Sequence, residues 1–162
     1  QDGDAVIGAG AAEDGDHLVF VASDASLLYF DAAAVRPQGR AGGGVAGIKL
    51  GAGARVTFFG IVRAGTEGAV ATIAGPSDGL PGTAAGSAKW TPLAEFPTKG
   101  RATGGVRAHR FLKGEDVLLL AWAGPTPPRA SSGAGQPVDL PAEPGRRDGS
   151  GTALATPVAG LG

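Results

Sequence analysis

The chain has 162 residues, 43% of them hydrophobic, and its 14 basic and 15 acidic residues leave a formal net charge of −1. This length and apolar content predict a folded chain with a sizeable core, which excludes an intrinsically disordered protein. The sequence has no stretch of about 18 consecutive apolar residues, so we expect no membrane-spanning helix. The absence of cysteine excludes disulfides and thiolate metal sites.

Methionine is absent from the whole sequence, position 1 included. We therefore expect a processed chain or an excised fragment. The acidic start, with Asp2 and Asp4, lacks the basic and apolar regions of a signal peptide. With no cysteine to point to an oxidising compartment, we expect a cytoplasmic location.

Glycine and proline interrupt the apolar segments throughout, with 30 glycines and 12 prolines in the chain. Both residues break helices, and no long segment escapes them. The pattern predicts an all-β chain of short strands joined by tight turns.

The first stretch of the chain reads as a hairpin followed by a glycine-rich segment and a strand. Residues 18–22 and 27–30 are short apolar runs, and residues 23–26, Ser-Asp-Ala-Ser, have turn chemistry between them. The glycine-rich segment, residues 37–45, is called the first box. Residues 56–62 then predict another strand.

The second stretch follows the same order. Residues 69–74 predict a strand, residues 75–87 a Gly/Pro/Ser-rich loop, and residues 88–93 a second extended segment. The second box, residues 97–106, comes next. Residues 117–122 predict the strand that closes the stretch.

The third stretch has weaker signals. Residues 124–137 are rich in Pro, Gly and Ser, and residues 138–140 predict a short strand. A third box occupies residues 145–151. Only residues 152–158 can form structure beyond it, and we expect residues 159–162 to fray.

The boxes are copies of one another. Arg40 and Arg101 are 61 positions apart, as are Val45 and Val106, and the third box places Arg146 45 positions after Arg101. A repeat of this period indicates stacked copies of one small unit. We expect a single domain over 1–162 with about three repeat units, at 5–62, 63–123 and 124–162.

Basic side chains flank all three boxes. Repeated exposed loops with such side chains would form a discontinuous positive stripe, which suits a phosphate backbone. The predicted DNA-binding residues are Arg40, Lys49, Lys99, Arg101, Arg107, Arg110, Lys113, Arg146 and Arg147.

Catalytic patterns are weak in this chain. His17 and His109 are the only histidines, and nothing resembles a nucleophile elbow or a metal-ligand spacing. Residues 6–10 begin like a dinucleotide fingerprint, but Glu13 stands where its third glycine belongs. We predict no catalytic residue, no metal and no cofactor, and we expect His109 either to contact phosphate or to be exposed. A hydrolase that uses His17 or His109 remains an alternative.

The order of hairpin, box and strand resembles a known family. Residues 23–30, 35–41 and 44–45 carry the resemblance, and residues 95–106 carry it again. Together they are similar to the C-terminal domain of the A subunit of bacterial DNA gyrase or of topoisomerase IV, between which these residues do not decide.

The resemblance implies a β-pinwheel, in which each blade is completed by a strand exchanged with its neighbour and DNA wraps around the rim. It implies a non-catalytic domain that positions double-stranded DNA for a type II topoisomerase. The implied protein partners are the remainder of the topoisomerase A subunit together with the ATPase subunit. The net charge of −1 favours one alternative, a propeller-like protein-interaction module with little affinity for DNA.

Overall fold

The computed structural model describes residues 3–79 and 83–162, and these residues form ten β-strands and two short 3-10 helices. The helices are Ala32–Ala34 and Leu93–Glu95, and neither is long and apolar enough to cross a membrane. The strands are β1 (His17–Ala22), β2 (Ser26–Asp31), β3 (Val56–Val62), β4 (Gly68–Gly75), β5 (Ser87–Pro92), β6 (Val106–Arg107), β7 (Val117–Pro125), β8 (Ala130–Ser131), β9 (Thr152–Ala153) and β10 (Gly160–Leu161). The prediction of an all-β chain is confirmed.

The strands form two four-stranded sheets and one two-stranded sheet. The first sheet has the order β3-β1-β2-β6, the second β7-β4-β5-β9, and the third β10-β8, with antiparallel pairing throughout. β6 follows the second box in sequence yet pairs with β2, and β9 follows the third box yet pairs with β5. Each large sheet is therefore completed by a strand from the next stretch of the chain.

The predicted first hairpin is confirmed, and the turn between β1 and β2 fixes how the two strands align. The backbone N–H of Ser26 donates to the carboxylate of Asp24 at 3.0 Å, and Ala25 adopts a left-handed φ of 65° between the two strands. This short turn sets the register in which Val21 faces Leu27. In the second stretch β4 and β5 form the matching hairpin, and part of its connecting loop, residues 80–82, lies outside the described residues.

The repeated glycine of the boxes has a backbone reason. Gly44 and Gly105 both adopt a left-handed conformation, with φ of 77° and 69°. A Cβ at Gly105 would overlap the carbonyl oxygen of Leu27, whereas a Cβ at Gly44 would meet no atom within 4 Å. Gly105 is thus required for the close approach that brings β6 against β2.

The main core lies between the two large sheets. Successive residues of β1 point to opposite faces, so Val19 and Val21 pack with Val70 of β4, while Leu18 packs on the other face with Phe30. Further apolar residues, Ile73, Ala88, Ala130 and Val158, join the second sheet to the third stretch.

Tyr29 is buried in the main core and its hydroxyl donates to the carbonyl oxygen of Phe96 at 3.0 Å. That contact ties β2 to the segment that leads into the second box.

Two predictions for the third stretch are wrong. Residues 138–140 form no strand; the β8 hairpin is instead closed by a single bridge between Ser131 and Pro137. Residues 159–162 do not fray, because β10 pairs with β8 and the N–H of Gly162 donates to the carbonyl oxygen of Arg129 at 3.0 Å. Both outcomes depend on contacts across the stretch, which local sequence signals do not report. The unit boundaries 5–62, 63–123 and 124–162 stay a prediction.

Candidate nucleic-acid interface

The second and third boxes lie at corresponding edges of the two large sheets. The second box runs directly into β6, which is the edge strand of the first sheet. The third box runs directly into β9, the edge strand of the second sheet. The repeat therefore places the same kind of loop, with its basic residues, along one side of successive sheets.

The second box is joined by hydrogen bonds to residues 46–49, the segment that follows the first box. The guanidinium of Arg101 donates to the carbonyl oxygen of Ala46 at 2.8 Å. The backbone N–H of Lys49 donates to the carbonyl oxygen of Thr103 at 3.0 Å. These contacts place Arg101 beside the segment that carries Lys49.

The third box is joined in the same way to residues 107–110, the segment that follows the second box. The guanidinium of Arg147 donates to the carbonyl oxygen of Arg107 at 3.1 Å, and the N–H of Arg110 donates to the carbonyl oxygen of Gly149 at 2.9 Å. Arg107 and Arg110 lie 61 positions after Ala46 and Lys49, so the same pair of contacts occurs twice. We call each pair, one guanidinium-to-carbonyl and one backbone hydrogen bond, a joint.

The repeated joint corrects the alignment of the third box. The partner of Arg107 is Arg147, so Arg147 and not Arg146 is the counterpart of Arg101. The offset between the second and third boxes is therefore 46 positions rather than 45. Two adjacent arginines made the sequence alignment ambiguous, and only the contact with the preceding loop distinguishes them.

The structure thus brings five of the nine predicted residues into two joints, namely Lys49, Arg101, Arg107, Arg110 and Arg147. Lys99 lies within the second box, where its ammonium donates to the carbonyl oxygen of Gly105 at 3.2 Å. Arg146 lies within the third box with its side chain 87% exposed, 3.6 Å from the carboxylate of Asp148.

Arg40 and Lys113 lie apart from these joints. Arg40 is exposed in a turn closed by a hydrogen bond from the N–H of Gly42 to the carbonyl oxygen of Gly39 at 2.8 Å. Lys113 is exposed in the turn that precedes β7, which the N–H of Glu115 closes at 3.0 Å on Leu112. Among the described residues, no hydrogen bond ties either side chain to another box.

The electrostatics of this edge favour an anionic ligand. Eight of the nine predicted cations are exposed and Arg147 is half-buried. The joints of Arg101 and Arg147 each occupy one guanidinium nitrogen, which leaves further N–H donors for a phosphate. An exposed pair such as Arg146 with Asp148 is weak, so it leaves Arg146 available to a competing anion.

Sequence reasoning missed Lys89, which lies in β5 with 3% exposure. Its ammonium donates to the carbonyl oxygens of Arg146 at 2.9 Å, Arg147 at 2.7 Å and Gly149 at 3.1 Å. Burial lowers the pKa of Lys89 to about 8, and the charge of Arg147 acts in the same direction, while Asp148 and Glu95 oppose it. A signal was present: Lys89 lies 61 positions after Leu28, which is buried and apolar.

His109 was predicted to contact phosphate or to be exposed, and both expectations are wrong. Its ring is 1% exposed. Nε2 accepts from the N–H of Gly151 at 3.1 Å and lies 3.3 Å from the hydroxyl of Ser87, so Nδ1 carries the proton that bonds the hydroxyl of Thr72 at 2.9 Å. Burial, followed by the charge of Lys89, lowers the pKa of His109 to about 4. In the 61-residue repeat His109 corresponds to Ile48, a half-buried apolar residue that packs against the cluster of Leu18, Leu28 and Phe30.

The sequence matches a family model described as the DNA gyrase C-terminal domain, beta-propeller, over residues 16–63 and 82–120. Among its relatives is the topoisomerase subunit TopoM of Mycolicibacterium smegmatis, 39% identical over 117 residues, which are 72% of this chain and 15% of that protein. The gyrase A protein of Escherichia coli is 34% identical over 105 residues, 65% of this chain and 11% of that protein. The chain thus spans a small part of the length of these relatives.

Solved structures share the fold. The crystal structure of the C-terminal domain of DNA topoisomerase IV superimposes with a TM-score of 0.70 at 18% identity, over 91% of this chain and 46% of that one. The C-terminal domain of Escherichia coli ParC gives a TM-score of 0.68 at 16% identity, over 93% of this chain and 61% of that one. The predicted β-pinwheel fold is confirmed, and the chain belongs to the family of DNA gyrase C-terminal domains.

Proposed function

We propose that this chain is a non-catalytic DNA-binding domain of a type II topoisomerase A subunit. It positions a segment of double-stranded DNA by contacts between its boxes and the phosphates, without reading bases. Its partners are the rest of the A subunit together with the ATPase subunit, which supply strand cleavage and ATP hydrolysis. The names of the relatives, TopoM and gyrase A, support this assignment.

The observation that carries the proposal is the repeated joint between a box and the segment that follows the preceding box. The same guanidinium-to-carbonyl contact holds Arg101 and Arg147, and exposed cations surround it at corresponding sheet edges. Repetition along one side provides positive charge at several places of a long polyanion, which is what non-specific duplex binding requires.

Arg107 and Arg110 offer a test that leaves the joint intact, because they join the third box through backbone atoms only. We compare the wild type with Arg107→Gln/Arg110→Gln in binding to a long duplex between about 50 and 200 mM salt. The control is Arg55→Gln/Arg129→Gln, which removes two exposed charges outside the boxes and outside the segments joined to them, and gives the same net charge.

The logarithm of the wild-type affinity should fall linearly with the logarithm of the salt concentration. The magnitude of this negative slope should be smaller by about 2 in the Arg107→Gln/Arg110→Gln variant, because two phosphate contacts are lost. The control should keep the wild-type slope. Equal loss in both variants, or no binding at the lower salt, would reject the proposal.

The second candidate is a protein-interaction module, which the net charge of −1 favours. An interface of that kind depends mainly on apolar burial and should change little across the same salt range. The salt series therefore separates the two functions.

A further inference from the structure

The third box is held by three hydrogen bonds from the Lys89 ammonium, here called the ammonium clasp, which the second box lacks. The three N–H donors of the Lys89 ammonium meet three backbone carbonyls of the box, at 2.9, 2.7 and 3.1 Å. The neighbouring Thr91 hydroxyl donates to the carbonyl oxygen of Gly145 at 2.9 Å. An ammonium has three donors and no acceptor, so Lys89 is fully satisfied by the box alone.

The second box lies on the first sheet through a different set of contacts. The backbone N–H of Lys99 donates to the carbonyl oxygen of Tyr29 at 3.3 Å, and the backbone N–H of Gly145 donates in the same way to the carbonyl oxygen of Trp90 at 2.8 Å. Beneath the second box, however, the position of Lys89 is taken by Leu28, which packs in an apolar cluster. The backbone docking is thus shared by both boxes, and the ammonium clasp belongs to the third.

Burying the Lys89 ammonium costs desolvation free energy, which an apolar residue that served only to pack the box would avoid. A buried ammonium is unfavourable unless its donors are bonded, and an apolar residue serves the same position in the first sheet. The carbonyls that Lys89 binds belong to Arg146, Arg147 and Gly149, so its contacts fix the backbone of both arginines. With three carbonyls turned inward, the Arg146 side chain stays in solvent and the Arg147 guanidinium reaches Arg107.

We propose that Lys89 is a positioning residue for DNA binding, which holds the third box in the shape that presents Arg146 and Arg147 to phosphate. This inference rests on the proposed function. Without the ammonium the loop loses three of its hydrogen bonds, and the backbone positions of the two arginines are no longer fixed.

Lys89→Met tests the inference, because methionine retains most of the side-chain stem that packs on Gly145 and removes the ammonium. Lys89→Leu copies the residue of the first sheet and serves as a second variant should the first fail to fold. Arg146→Gln/Arg147→Gln is the matched reference, since it removes the two charges directly. Two readouts are taken on the whole chain: amide hydrogen exchange across residues 145–151 and the salt dependence of binding to duplex DNA.

We expect the exchange of the Gly145 and Gly149 amides to accelerate at least tenfold in Lys89→Met, with β1 to β3 unchanged. The salt slope should decrease by about 2, as in the arginine reference, because two phosphate contacts are lost. Unchanged exchange would overturn the inference, as would faster exchange with a wild-type slope.

The Arg107→Gln/Arg110→Gln variant separates this inference from the proposed function. A reduced slope in that variant together with a wild-type slope in Lys89→Met rejects the role of Lys89 alone. A wild type that does not bind the duplex rejects both, and the exchange data then report the clasp only as a structural contact.

Discussion

Acidification is expected to destabilise this domain through one buried histidine. Burial and the charge of Lys89 lower the pKa of His109 from 6.5 to about 4. A group with a lower pKa in the folded state binds fewer protons there, so between pH 6.5 and 4 the unfolded chain holds the extra proton. The free energy of unfolding contributed by neutral His109 is therefore complete above pH 6.5 and is lost progressively as the pH falls towards 4.

The size of the loss follows from the two pKa values. With 6.5 in the unfolded chain and about 4 in the folded domain, linkage gives a decrease of about 2.5 kcal/mol between pH 7.5 and pH 4.5. The geometry explains this penalty. A proton on Nε2 would face the N–H of Gly151, which now donates to that nitrogen at 3.1 Å, so one hydrogen bond would become a contact between two donors.

Urea unfolding of the wild type and of His109→Gln at pH 7.5 and 4.5 measures the effect. Glutamine keeps an amide oxygen that can accept from Gly151 and does not titrate, so the variant should lose less than about 1 kcal/mol over the same interval. Carboxylates of lowered pKa, Asp16, Asp31 and Asp116, do not interfere, because both proteins share them and most of their stabilisation is lost below their ordinary pKa of 3.8. Equal losses in the two proteins would refute the assignment of this titration to His109.

Three further perturbations test the fold around the boxes. Gly105→Ala should lower the free energy of unfolding by about 3 kcal/mol or more, because its Cβ would overlap a backbone carbonyl in β2, whereas Gly44→Ala should lower it by only about 1 kcal/mol for its left-handed φ. Thermal unfolding of the two variants measures the difference, and equal losses would contradict the close approach of β6 to β2. Tyr29→Phe should lower the free energy of unfolding by about 1 kcal/mol in urea, because the Phe96 carbonyl loses its buried donor, and no change would mean that water replaces the hydroxyl. Asp16→Asn should lower the free energy of unfolding at pH 7 and reduce the further loss of stability below pH 3.8, because the Asp16 carboxylate accepts hydrogen bonds from Glu13, Ala64 and Arg63. Urea unfolding across this pH range measures the effect, and the same pH dependence in variant and wild type would argue against this role.

Local signals in the sequence were sufficient for the longer strands of the first two stretches, the first hairpin and the family. Apolar runs such as residues 18–22 and 27–30 need only the chain between them to form a hairpin, and the Asp24 turn is encoded within four residues. The 61-residue repeat likewise required no structure, since Gly44 and Gly105 recur where the same turn recurs. The resemblance to gyrase C-terminal domains rested on these repeated segments and is confirmed by the family match.

The environment of the third box was decided by tertiary structure alone. His109 was expected at the surface and Lys89 was not singled out, yet residues of the third box bond both side chains, and their partners lie between 22 and 60 positions away in the chain. Arg147 was distinguished from Arg146 by its contact with Arg107, 40 positions earlier. Short-range pattern and turn chemistry determine where the longer strands of the first two stretches form. Burial and hydrogen-bond partners instead depend on which distant segment completes each sheet, and the exchange of β6 and β9 between stretches sets that outcome here.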